Sequence, residues 1–488
     1  VWLARCRVPR PWAANREAAH VIPPPRRRVI VALLLLALGI AAVRDFSRLG
    51  AALPWRTMDE FADFYCAGLA FDRGTSPYTY EPLHACEHQF NKGQSFRGKL
   101  FAANPAVAVP APQPPYDFVP FMALAGANFS LARAIDATAI VLAVALSAIA
   151  LAAIGVPLAL SVAVFALSTG YVELNTAQIV PFALLALVLC GLALERGRER
   201  LAGVLAALTL IEPIVGLPVV VATFLFAPRA RWSLTAALVG LLALGCVIAG
   251  PKGFLEYLIE VLPAHSRSEM LFPFQYSLTS ALATLGISPA LARVAGIFSY
   301  VLLLAAALII APRASGQLRH RALIVFLPAL CCVIGGTFLH QEELCFAIPA
   351  ATLLAWGTAG RQRAIATVAL CVLSVPWIAV WGAKQLFLAS LLVVATILAH
   401  LRLELRSSLI TLGAIAAAIY CFELAPPRLP APSAMPAVYA ASQLVSLEWR
   451  DYTAMRSTHD PLWFAIKLPT WGALLASLAI AASISRRI

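Results

Sequence analysis

The sequence predicts an all-α, polytopic membrane protein with about 12–14 transmembrane segments. Three observations carry that expectation. Hydrophobic residues make up 61% of the 488-residue chain, and the mean hydropathy is +0.82. Apolar runs long enough to cross about 30 Å of hydrocarbon recur along the whole length. Charged residues are only 12% of the total and gather in a few connectors.

The elements follow in order. Residues 1–28 form a basic, proline-broken tail, expected in the cytoplasm, before the first apolar run at 29–43. Later spans are expected at 128–154, 158–170, 177–194, 201–226, 232–249, 291–311 and 322–339, then at 344–358, 364–382, 385–401, 408–424 and 468–484. With Arg26, Arg27 and Arg28 inside, alternation puts the basic turn "ERGRER" (195–200) inside as well. A single crossing over 201–226 would then reverse every later loop. Breaking that span at Glu212-Pro213 into a hairpin returns 228–231, 312–321, 360–363, 402–406 and Arg486-Arg487 to the inside. Proline removes a backbone donor and disfavours helix at the residue before it, so the break falls where the chemistry allows one.

One membrane domain is thus expected over 29–424, with outer loops at 44–127 and 250–290. An extracytoplasmic loop over 425–467 and a last helix with its cytoplasmic end over 468–488 complete the chain. The segment "NPAVAVPAPQPPYDFVPFMAL" (104–124) is too proline-rich to span and too apolar for an aqueous loop, and is expected to be re-entrant or interfacial.

The formal charge of +13 does not point to nucleic acid, because the arginines sit mainly in short connectors, where membrane orientation accounts for them. No glycine-rich phosphate loop, CxxC pair or HExxH occurs, so no metal or cofactor is expected. Most of the ten cysteines lie inside apolar runs as packing residues. Cys66 and Cys86 share the first polar loop, where a disulfide and two free thiols both remain open.

That loop carries the acids. Asp59, Glu60, Asp63 and Asp72 crowd into "MDEFADFYCAGLAFDRGTSPY" (58–78). On a helix Asp59 and Asp63 share one face, forming a short amphipathic helix at the membrane surface that presents carboxylates to a cavity. Neighbouring, partly desolvated carboxylates hold a proton between them, which suits a general base near neutral pH; a solvated acidic face is the bland alternative. Asn175 and Gln178 in "YVELNTAQI" can bond sugar hydroxyls, or simply cap a helix. "GTFLHQEELCF" (336–346) is expected as a tight outer turn in which His340, beside Glu342 and Glu343, holds a phosphate oxygen or relays a proton. Lys252, His265 and Arg267 bring positive charge to the same side, and Glu212 stands at the hairpin break.

These pieces, in this order, resemble the GT-C superfamily of membrane glycosyltransferases, and within it family 87, the polyprenyl-phosphate-mannose-dependent mannosyltransferases. The resemblance rests on "DFYCAGLAFDRGTSPY", "QPPYDFVPFMAL", "NTAQIVPFALLALVLCGLALERGRERLAGVLAALTLIEP", "SLTSAL" and the His340 turn. It implies a GT-C-like helical bundle whose extracytoplasmic first loop carries amphipathic helices, in a bacterial-type plasma membrane. It further implies hexose transfer, mannose by family default, from a polyprenyl-phosphate sugar to a glycolipid or glycan acceptor.

Asp63 occupies the position of the family's catalytic acid and His340 joins it. Asp59, Glu60, Tyr78, Asn175, Gln178, Glu212, Lys252, Arg267 and Glu343 are then expected to bind donor or acceptor. The chain departs from the family at Glu212-Pro213, where Lys-Pro is usual. Two rivals stand beside the enzyme: a flippase or transporter of lipid-linked sugar, and an inactive paralogue that binds such a sugar without transferring it.

Overall fold

In the computed structural model, the described residues are 25–91, 96–428, 430, 439–458 and 460–486. The expected tail over 1–24 and Arg487 lie outside them. Every regular element among these residues is helical. Eight helices are long and apolar enough to cross a membrane, from Val29–Ser47 to Pro461–Ser485, and three shorter apolar helices lie among them: Val180–Glu195, Pro213–Phe226 and Leu323–Cys332.

The core is a bundle in which Leu323–Cys332, Ile348–Gly357 and Val180–Glu195 are almost wholly buried. Helices such as Pro25–Ser47, Arg231–Glu256 and Pro289–Leu318 keep rows of exposed aliphatic side chains, the faces a bilayer would cover.

The break at Glu212 is present. The helix Glu199–Leu208 passes through a turn at Thr209–Ile211, and Glu212 is extended, at φ −116° and ψ 90°, before the helix Pro213–Phe226. The ends of this pair remote from the break meet at one end of the bundle. There the Ser233 hydroxyl donates to the Arg200 carbonyl at 2.7 Å, and Gly203 packs so tightly that a Cβ would lie 2.6 Å from the Ala230 carbonyl oxygen. The segment is therefore a hairpin, as the distribution of arginines required. Its two open carbonyls are satisfied by tyrosines: Tyr116 donates to Leu210 and Tyr300 to Ile214.

The basic turns collect where the hairpin's ends meet. Arg321 pairs with Glu199 at 2.9 Å, His320 with Glu195 at 3.3 Å, and the Arg229 amide donates to Glu199.

At the opposite end the structure departs from expectation in three ways. The helix Phe61–Asp72 is no surface helix, because nine of its residues are buried, Phe61, Phe64 and Tyr65 among them. The stretch 250–290 is not mainly loop: after a break at Gly250 (φ 72°), helical chain runs on to Ser268. The turn around His340 is not tight either, since the helix Leu323–Cys332 stops early and 333–341 is irregular. Irregular backbone at this depth requires protein or a polar cavity around it, and a cavity lies here.

The proline-rich segment is irregular over its first half, so side chains serve its backbone. The Val109 amide donates to Glu87 and the Ala108 amide to Glu448, while Tyr80 and Tyr78 donate to the carbonyls of Ala106 and Gln113. Cys66 and Cys86 are joined, with Cα atoms 5.8 Å apart, tying Phe61–Asp72 to Tyr80–Phe90.

Candidate functional site

At the end of the bundle away from the basic turns is a cavity of about 220 Å³. Four segments build it. Phe61–Asp72 contributes Asp63, with Glu60 just before its first turn. The hairpin break contributes Glu212. The helical run after Gly250 contributes Tyr257 and His265, with Glu269 following, and the irregular loop contributes His340, with Glu342 and Glu343 in the helical turn after it. Gln178 and the proline-rich backbone at 109–114 complete the wall.

Asp63 points inward because its helix is clamped from behind. A Cβ on Gly68 would fall 2.5 Å from Phe121 Cβ, so only glycine lets the helix Val119–Leu124 approach so closely. Phe64 stacks on Phe121 with ring centroids 5.3 Å apart. Asn91 Nδ2 donates to Asp63 Oδ1 at 3.4 Å. Glu60 accepts a hydrogen bond from Gln178 Nε2.

His340 is held by a partner 71 residues away. Its Nε2 lies 2.5 Å from Glu269 Oε2, and Trp449 Nε1 and Gln275 Nε2 donate to the same carboxylate. The His340 amide donates to Glu343 Oε2 at 2.7 Å. Burial opposes charge on His340, but Glu269, with Glu343 and Glu342, outweighs it and raises the imidazole to about 10. Burial likewise opposes charge on Glu269, yet His340 and Trp449 bring its carboxyl down to about 2. The two form an imidazolium–carboxylate pair across the neutral range. Glu342 differs: burial raises it to about 7, with Glu343 and Glu60 adding to the rise and His340 opposing it.

Of the expected residues, the cavity brings together Asp63, Glu60, Gln178, Glu212, His340 and Glu343. The others stand elsewhere. Asp59 precedes the helix rather than sharing its face; its amide donates to the Asn175 carbonyl. Asn175 faces a second cavity and accepts from Thr57 Oγ1 at 2.7 Å. Tyr78 is buried scaffold holding Gln113. Lys252 is exposed, and Arg267 lines an outer hollow beside Arg293 and Arg450.

Sequence reasoning missed Glu269, Trp449 and Asp117. Asp117 is buried in the proline-rich segment, where burial and then Glu212 push its carboxyl well above the usual range. The first two are brought in by long-range packing. For Asp117, a lone acid inside an apolar segment was the available signal.

Six carboxyl groups and two imidazoles converge on one cavity, groups that can exchange protons and bond hydroxyls. One comparison with known proteins bears on its class. Residues 113–340 match the model of glycosyltransferase family 87. The match covers the hairpin, the helical run after Gly250 and the loop up to His340, bearing out the family-87 resemblance. It begins beyond Asp63, so the acids of the first loop lie outside it. No curated protein and no solved structure matches the chain. The family-87 match indicates a glycosyltransferase, and the apolar bundle sets it in a membrane.

Proposed function

We propose that the protein transfers a hexose, mannose by family default, from a polyprenyl-phosphate donor to a hydroxyl of a glycolipid or glycan acceptor. Asp63 acts as general base. The acceptor oxygen attacks the anomeric carbon, its proton passes to Asp63, and the carbon–oxygen bond to phosphate breaks with the electron pair leaving on the phosphate. A single displacement inverts the anomeric centre. His340, held as an imidazolium by Glu269, supplies positive charge or a hydrogen bond to oxygens in the cavity. No metal or cofactor takes part in this proposal.

The observation that carries it is the place of Asp63: buried on a clamped helix, lining the same cavity as His340, Gln178 and Glu343, at the end remote from the arginine-rich turns. That charge distribution supports a plasma-membrane orientation with the cavity on the extracytoplasmic face.

The test is a membrane assay with radiolabelled polyprenyl-phosphate mannose, comparing wild type with Asp63→Asn. Label entering a new product with wild type alone supports both class and base. Equal transfer by both proteins removes Asp63 from the role. Binding without transfer supports the inactive paralogue, and movement of intact lipid-linked sugar across the bilayer supports the transporter.

A further inference from the structure

A second, larger cavity of about 900 Å³ lies against the first, within the range of about 300–1,000 Å³ common for small-ligand sites. Three short segments separate the two. Along 57–63, Thr57, Met58 and Ala62 face the large cavity while Glu60 and Asp63 face the small one. Asn175 faces the large cavity and Gln178 the small one; Gln341 faces the large cavity, while His340 and Glu342 on either side of it face the small one. The wall is knitted by the amides of Asp59 and Glu60 donating to the carbonyls of Asn175 and Thr176. At Asn91, which lines the large cavity, it is one hydrogen bond thick, because Asn91 reaches Asp63 on the other side.

The two chambers have opposite charge. Among the described residues, the small cavity is lined by six carboxyl groups and two imidazoles, and by no lysine or arginine. The large one is lined by Arg56, Lys99 and Arg133 and by no aspartate or glutamate. Arg133 does not simply extend toward water; it turns in to donate to the backbone carbonyls of Trp55 and Arg56. Asp59, behind the wall, acts on Arg133 electrostatically.

Beside polar groups such as Asn91, Asn175 and Gln385, the lining includes apolar and aromatic residues: Leu49 just past the first helix, Phe129 at the start of another membrane-length helix, and Trp381. Exposed Ile40 and Val43 continue outward from the first of these helices, and Leu131 and Ile135 from the second.

We propose that the large cavity binds the phosphate head of the lipid-linked donor on Arg56, Lys99 and Arg133, its tail leaving along these apolar helix faces, and that the acidic cavity receives the acceptor. This rests on the glycosyltransferase reading and supplies the phosphate contacts that Lys252 and Arg267, outside both cavities, do not. In the small cavity the His340 imidazolium is outnumbered by carboxyl groups, whereas the large one offers a phosphate three cations and no carboxylate. The arrangement also suits inversion. The sugar replaces the hydrogen bond between Asn91 and Asp63, so that Asp63 takes the acceptor's proton on one side of the anomeric carbon and the phosphate departs toward the cations on the other.

The experiment has a kinetic arm and a binding arm. Arg56→Gln combined with Lys99→Gln, both at exposed positions, should raise the donor KM about tenfold or more and leave the acceptor KM within twofold; Arg56→Lys should restore donor use. An acceptor KM that rises instead, with donor KM unchanged, overturns the assignment. The binding arm measures polyprenyl phosphate without sugar on purified full-length Asp63→Asn protein, with and without the same two substitutions. Saturable binding lost with the two cations supports the site even if no transfer is found from any donor, so failure of the enzyme reading and failure of this site are separate results. Binding indifferent to the substitutions overturns the site. Inorganic phosphate should not compete at millimolar concentration, and full competition would overturn the lipid source of the head group.

Discussion

The His340 imidazole and the Glu269 carboxylate, 71 residues apart in the chain, meet at 2.5 Å. The charge on His340 is thus set by a residue from another element, and Trp449, from the chain's last outer stretch, donates to the same carboxylate at 2.5 Å. Removing the partner's charge should expose this dependence. Glu269→Gln should lower the His340 pKa by about 1–3 pH units, read from a pH titration of the imidazole signals or of donor use. Trp449→Phe should shift it in the same direction by less. An unmoved titration in Glu269→Gln would mean that Glu343 and Glu342 hold the charge by themselves.

The pair also sets a pH window for stability. His340 is raised from 6.5 to about 10, so its contribution is complete below 6.5 and lost as pH rises through 10. Glu269 is lowered from 4.5 to about 2, so its contribution is complete above 4.5 and lost as pH falls through 2. Thermal unfolding in detergent should be least pH-sensitive between these limits, and Glu269→Gln should narrow the alkaline side. Glu342, raised to about 7, should add a step near neutrality to the kcat/KM profile that Glu342→Gln removes.

Asp63→Asn should lower transfer by about 10²–10⁴-fold while donor binding persists. Asparagine keeps the shape and the contact with Asn91 but cannot accept the acceptor's proton. A loss of binding in parallel would recast Asp63 as a positioning residue.

Gly68→Ala should destabilise the first outer loop by about 1–3 kcal/mol, because the new methyl meets Phe121 and the backbone of Met122. The loss should appear as easier proteolysis of the loop before any global unfolding. An unchanged cleavage pattern would mean that Val119–Leu124 can yield.

The Cys66–Cys86 bridge closes a short loop that includes the end of the helix carrying Asp63. In the chain-entropy account such a bridge stabilises by about 3 kcal/mol. Two further cysteines should alkylate only after reduction, visible by mass. Reduction should lower both Tm and transfer, and alkylation of both thiols without reductant would show that the bridge does not form.

Much of the architecture was legible in one dimension. Hydropathy identifies an all-α membrane protein because each span must satisfy its backbone internally and show apolar side chains to lipid, a constraint that acts residue by residue. The hairpin at Glu212-Pro213 was legible too, since alternation of arginine-rich turns and a helix-breaking proline are both local signals. Asp63 and His340 stood out as ionisable groups beside apolar spans. Tertiary structure alone decided what surrounds them. Long-range packing decided that Glu269 and Trp449 reach His340 and that Asp59 and Glu60, adjacent in sequence, part company at the wall. It also decided that Arg133 turns to the backbone of Trp55 and Arg56 and lines a cavity. Burial, hydrogen bonding and the sign of a cavity's charge depend on which distant segments share a volume, and no periodicity within a segment records that.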